Sequence, residues 1–85
     1  MQFKEVISFI CSNWKNVMIS KTGELPFHHC YYDYDIFEKD NKYYLTDNDK
    51  SEIVLDSFPI SCREIDENIY EIKYETYTIT LCEIA

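Results

Sequence analysis

The first candidate for a chemical role is the cluster His28-His29-Cys30, which places a thiol next to two imidazoles. Such a cluster could supply a nucleophile with its base, or ligands for a metal. On an extended backbone, neighbouring side chains point to opposite faces, so only His28 and Cys30 could share one site. The sequence supplies no clear third member, so an enzyme that uses His28 or Cys30 is kept as the minor alternative.

A second cluster, Asp47-x-Asp49-x-Ser51, begins like a calcium-binding loop. The sixth position of that loop would be Glu52, where the sharp turn needs glycine, and the twelfth would be Phe58, where a bidentate glutamate is needed. The match fails at both positions, so we predict no metal and no cofactor, and a loose, weak cation site at this turn is kept as a minor alternative.

Tyrosines mixed with carboxylates form the remaining pattern. Residues two apart on a strand share a face, so Asp33 and Asp35 are expected to project together, as are Glu71 and Glu75 around Lys73. Tyrosine offers a rigid apolar ring with a polar tip, which suits protein interfaces. The predicted partner-binding residues are Tyr32, Asp33, Tyr34, Asp35, Asp47, Asp49, Asp66, Glu67, Glu71 and Glu75.

The element at the start of the chain is predicted to be an amphipathic helix over about residues 2–17. Its apolar stripe has spacings of four, three, four and three residues. The stripe consists of Phe3, Ile7, Ile10, Trp14 and Val17. Phe9 falls at the margin of the polar face, so it is either a flank of the core or a contact residue.

The rest of the chain, about 27–84, has the short runs of tyrosine, isoleucine and threonine that are typical of strands. Turns are expected at 20–24, 39–41, 47–50 and 66–68, and Pro59 indicates an edge, a bulge or a corner. Apolar residues occupy even-numbered positions up to Tyr74 and odd-numbered positions from Tyr77, and this change in the alternation requires a tight bend or a bulge. We predict an α+β fold with one helix packed on an antiparallel meander of about five strands.

Length and composition limit the classes of protein that remain. The 85 residues allow one domain, 1–85, and the only glycine, Gly23, excludes glycine-rich phosphate loops. The four cysteines form no C-x-x-C pair, which favours free thiols in a reducing compartment. No secretory signal or membrane-spanning run is recognised, so a cytoplasmic location is expected.

Charge is unevenly distributed along the chain. The net charge is −8, yet residues 1–30 carry three basic and two acidic side chains, whereas residues 31–85 carry five basic and fourteen acidic ones. The sheet region therefore has a formal charge of −9. Direct binding of nucleic acid or an anionic membrane is disfavoured, and a basic protein partner is favoured. Alternating carboxylates on a wet sheet face also serve solubility alone.

In size, charge and helix-plus-sheet layout, the chain resembles small phage-encoded inhibitors, notably anti-CRISPR proteins. The residues that carry this resemblance are Asp33, Asp35, Asp47, Asp49, Glu71 and Glu75. Anti-CRISPR proteins share no common fold or signature, so no functional residue is carried over. The resemblance implies that carboxylates replace phosphates in a basic nucleic-acid channel of a bacterial host protein. Immunity proteins of bacterial toxin systems are similar to the chain in the same respects.

The sequence thus predicts a non-enzymatic inhibitor, a monomer or small homo-oligomer, that binds a basic nucleic-acid-handling protein such as a CRISPR effector. Carboxylates would steer association and tyrosines would anchor the complex. The alternatives are an immunity protein or antitoxin that neutralises a basic nuclease, and a small subunit of a larger complex.

Overall fold

The computed structural model describes residues 1–85 as one helix followed by eight strands, which confirms the α+β class. The helix α1 spans Phe3–Asn13. The strands are β1 Asn16–Gly23, β2 Phe27–Tyr32, β3 Asp35–Lys39, β4 Lys42–Thr46, β5 Glu52–Asp56, β6 Ser61–Asp66, β7 Ile69–Lys73 and β8 Tyr77–Glu83.

The prediction of a single five-stranded meander is wrong, because the strands form two antiparallel sheets. The larger sheet has the order β2-β1-β8-β7-β6, and the smaller sheet has the order β3-β4-β5. The chain leaves the larger sheet after Tyr32, where Asp33 adopts a left-handed φ of 48° and ends the strand. It returns through the loop that contains Pro59, which cannot donate a ladder hydrogen bond.

The helix is shorter than predicted, since it ends at Asn13 and Val17 belongs to β1. Val17 continues the helical spacing, but Val17 and Ile19 also alternate as strand residues do, and both are buried. Backbone pairing with β2 on one side and with β8 on the other favours a strand over a continued helix at Val17. The expected turn at 20–24 is therefore wrong in part, because β1 continues to Gly23.

Several predicted turns are confirmed. Asp40 and Asn41 both have positive φ between β3 and β4, as a two-residue type I′ hairpin requires. The parity change after Tyr74 is a tight bend, in which the Tyr74 N–H donates to the Tyr77 carbonyl at 2.9 Å. The bend packs closely on Gly23, whose φ is +100° and whose missing Cβ would lie 2.7 Å from the Thr76 carbonyl oxygen.

One core of 17 buried hydrophobic residues joins the helix and both sheets. Phe3 of α1 contacts Tyr43 of the smaller sheet with 5.6 Å between ring centroids, and Phe9 contacts Tyr70 of the larger sheet at 5.8 Å. The only helix has 11 residues and is too short to cross a membrane.

Candidate functional site

The ten predicted partner-binding residues do not form one surface. Residues 32–35 link the two sheets, and Asp47 and Asp49 lie in the β4–β5 turn. Asp66, Glu67 and Glu71 belong to the β6–β7 hairpin, while Glu75 lies in the turn at the opposite end of β7. Their separation in space follows from the two-sheet topology.

Tyr34 and Asp47 are held inside the fold and are poorly placed to bind a partner. The Tyr34 hydroxyl reaches the carbonyls of Ile10 and Trp14 at 3.0 and 2.9 Å, where it closes the end of α1. Burial raises the pKa of Tyr34 to about 12, with a smaller contribution from Cys11. The phenol therefore stays protonated and acts as the donor.

The Asp47 side chain is only 5% exposed and lies 2.8 Å from Nε2 of His29 on β2. Its other oxygen accepts the N–H groups of Asp49 and Ser51 at 3.0 and 3.1 Å. The hydrogen bond from His29, together with these backbone donors, lowers the pKa of Asp47. Asp47 thus ties the smaller sheet to the larger one.

Both predicted pairs of strand-mate carboxylates are wrong. Asp33 lies in a turn outside any strand and forms an ion pair with Lys15 at 3.4 Å, while Asp35 is exposed at the start of β3. Glu71 is on β7 and contacts Arg63 at 2.9 Å, but Glu75 is beyond the end of that strand. Tyr32, at the end of β2, is 53% exposed.

A group of carboxylates without ion pairs lies at the tip of the β6–β7 hairpin, and we call it the acidic hairpin. Glu64, Asp66 and Glu67 are exposed there. Glu83, half-buried near the end of β8, lies beside the hairpin turn, since its N–H donates to the carbonyl of Asn68 at 3.1 Å. The acidic hairpin thus consists of four carboxylates from two different segments.

No cation within the chain neutralises this group. None of the four carboxylates forms an ion pair, and Arg63 is already engaged with Glu71. Arg63 and Glu64 project from opposite faces of the sheet, whereas Asp66, which follows the register shift, lies on the same face as Arg63. The negative field of the acidic hairpin is therefore directed to solvent.

Exposed apolar side chains border the acidic hairpin. Phe9 is 40% exposed and packs edge-on against Tyr70, which is the cross-strand partner of Glu64. Ile65 is 46% exposed at a register shift in β6. Burial raises the pKa of Tyr70, and the charge of Glu64 raises it further. The hairpin therefore places exposed apolar side chains beside negatively charged ones, as in an interface with an apolar centre and a polar rim.

Asp66 and Glu67 of this group are predicted from the sequence, and Phe9 is predicted as either a flank of the core or a contact residue, but the sequence does not indicate Glu64 or Glu83. The run Glu64-Ile65-Asp66-Glu67 was the available signal. Glu83 lies beside the hairpin because β8 pairs with β7, and the sequence alone does not specify this pairing.

The His28–Cys30 segment is strand β2, as expected, with His28 exposed and His29 bound to Asp47. His28 Nδ1 lies 2.8 Å from the Ser20 hydroxyl on the neighbouring strand. A surface groove of about 340 Å³, lined in part by Tyr74, Thr76 and Tyr77, contains no histidine or cysteine.

Comparison with known proteins found no family model, no curated protein and no solved structure that matches this chain.

Proposed function

We propose that the protein is a non-enzymatic inhibitor that binds a basic, nucleic-acid-handling protein through the acidic hairpin. One observation carries the proposal: Glu64, Asp66 and Glu67 are exposed along one hairpin with Glu83 on the strand beside it, none of the four forms an ion pair, and the exposed Phe9 packs on Tyr70 opposite Glu64. A surface of this kind complements a positively charged channel that normally holds phosphates.

The two parts of the surface have different roles in the proposed complex. The carboxylates attract the basic partner at long range and accelerate the encounter, an effect that salt screens. Phe9 and Ile65 supply apolar contact area once the surfaces meet, and such residues often account for most of the binding energy. In the proposed complex, Phe9 anchors the bound partner, a role that the sequence assigned to tyrosines.

Affinity capture with matched charge variants tests the proposal. The hairpin variant, Glu64→Lys/Asp66→Lys/Glu67→Lys, reverses the charge of the acidic hairpin. The turn variant, Glu24→Lys/Asp49→Lys/Glu75→Lys, makes the same change in net charge at exposed turns elsewhere. The bait is incubated with a bacterial lysate at low and high salt. Captured proteins are identified and challenged with a short DNA duplex.

We expect the wild-type protein and the turn variant to capture a nucleic-acid-binding protein that DNA displaces. The hairpin variant should lose at least about 90% of this capture, because charge complementarity becomes repulsion. Equal capture by both variants, or a captured protein that DNA does not displace, would contradict the proposal. The identity of the protein separates a CRISPR effector from a nuclease toxin.

A further inference from the structure

The outer face of the smaller sheet is covered by no other part of the chain. Its side chains lie in three cross-strand rows, one residue from each strand, with adjacent rows two residues apart. The acidic row is Asp35–Thr46–Glu52, the apolar row is Phe37–Tyr44–Val54, and the basic row is Lys39–Lys42–Asp56. The apolar row lies between the other two.

Two of the three side chains of the apolar row are exposed, and Tyr44 between them is half-buried. Phe37 is 51% exposed and Val54 is 42% exposed. The Phe37 and Tyr44 rings are stacked on each other, with centroids 5.1 Å apart and planes inclined by 9°. The aligned rings and valine form an apolar strip across the sheet, which favours contact with another surface.

The flanking rows carry opposite charges that have no partner within the chain. Asp35, Glu52, Lys39 and Lys42 are exposed and form no intramolecular ion pair. Asp56 differs, because its carboxylate turns towards the following loop and accepts the Phe58 N–H at 2.8 Å. The outer face is therefore negative at one end of its strands and positive at the other.

We propose that this face binds the same face of a second copy of the chain. A two-fold axis that runs across the strands brings the acidic row of each copy over the basic row of the other. Asp35 then faces Lys39 of the second copy, and Lys42 lies between the two carboxylates of the opposing acidic row. Glu52 lies over Asp56, whose carboxylate is engaged by the Phe58 N–H of its own chain. The apolar row packs on itself, and the strands stay aligned as in packed sheets.

The alternative two-fold axis, parallel to the strands, is less favourable. It places Asp35 over Glu52 and Lys42 over Lys42, and only Lys39 over Asp56 brings opposite charges together. The face measures about 14 by 17 Å from strand spacing and rise. This is smaller than the roughly 800 Å² per partner of a standard interface. We therefore expect a dimer with a dissociation constant between about 10 μM and 1 mM.

Sedimentation equilibrium over this concentration range tests the proposal. Val54→Lys places a lysine opposite itself across the axis and should weaken dimerisation at least about tenfold. Phe37→Lys provides a second change in the same row. Phe58→Lys is the matched control, because Phe58 is 74% exposed and lies outside the face. Circular dichroism checks that each variant is folded.

A charge-exchange cycle tests the orientation of the two copies. Asp35→Lys alone and Lys39→Asp alone should each weaken the dimer about threefold to tenfold, and the double variant should restore it. A wild-type protein that stays monomeric to about 1 mM would overturn the proposal. So would a dimer that tolerates Val54→Lys or Phe37→Lys, or a double variant without restored association.

This inference is independent of the proposed inhibition, because it uses a different surface. Reversing the charges of Glu64, Asp66 and Glu67 by substitution with lysine should leave the dimer intact. Lys39→Asp should leave capture of the basic partner intact. Each proposal can therefore fail while the other stands.

Discussion

The acidic hairpin and the outer face of the smaller sheet are both exposed, apolar in part and charged, but they differ in the sign of their charge. The hairpin has carboxylates without a free cation. The outer face has carboxylates at one end and lysines at the other. A surface of one sign repels its own copy, whereas a surface of both signs can complement itself. The hairpin is therefore suited to a foreign partner and the outer face to a second copy.

The largest expected difference between the two surfaces is their response to salt. Association with the basic partner should slow at least about tenfold between low salt and about 0.5 M salt, because screening removes long-range attraction. The dimer should weaken less than about threefold, because an apolar row lies at its centre. Surface plasmon resonance and sedimentation measure the two effects. If salt affected partner binding and dimerisation to the same extent, the proposed difference between the two surfaces would be wrong.

Phe9→Ala should reduce affinity for the basic partner about tenfold, which corresponds to about 1.4 kcal/mol. Phe9 contacts Trp14 and Tyr70 with centroid distances of 6.2 and 5.8 Å, so some loss of stability is also expected. Thermal unfolding separates that loss from the binding effect. The dimer should be unaffected, and Ile65→Ala is the milder comparison.

Acid should loosen the smaller sheet before the acidic hairpin. The pKa of Asp47 lies below its ordinary value of 3.8 because of the hydrogen bond from His29. The stability from this pair is complete above the ordinary value and is lost as the pH falls through the lower folded value. Hydrogen exchange below about pH 4 should show earlier loss of protection in β3–β5 than in β6–β7.

Asp47→Asn serves as the control for this pH response, since it removes the titrating group and keeps one oxygen for the backbone donors. The variant should be less stable near neutral pH and should lose the difference between the two sheets in acid. If the variant keeps the wild-type acid response, another group is responsible.

Tyr34→Phe should have the smallest effect, lowering the free energy of unfolding by about 1 kcal/mol. The change removes the hydroxyl that bonds the carbonyls of Ile10 and Trp14 and keeps the ring. Urea unfolding measures the change, and Tyr32→Phe is the control, because Tyr32 is exposed. An equal loss in both variants would mean that the cap at the end of α1 contributes nothing.

Local patterns in the sequence predicted the features that depend on neighbouring residues. The stripe from Phe3 to Trp14 is buried as expected, and the bend near Tyr74 follows from a change of parity. Turns with asparagine and aspartate were also recognisable, since these residues tolerate positive φ.

Features that depend on distant pairing could not be predicted. The division into two sheets is decided by which strands pair, and β1 lies between β2 and the last strand, β8. The apolar row had a signal in Ile36-Phe37 and Ile53-Val54, because adjacent apolar residues on a strand cannot both face the core. Only the register shows that Phe37, Tyr44 and Val54 align.

The register shift at Ile65 has a consequence for behaviour at high protein concentration. β6 is an edge strand of the larger sheet, and such an edge can template the addition of further strands and begin fibril growth. The extra residue interrupts the regular spacing of donors and acceptors along that edge, and the charges of Arg63, Glu64 and Asp66 repel or misalign an incoming copy. Removing Ile65 would restore an even edge and should shorten the lag time of fibril formation.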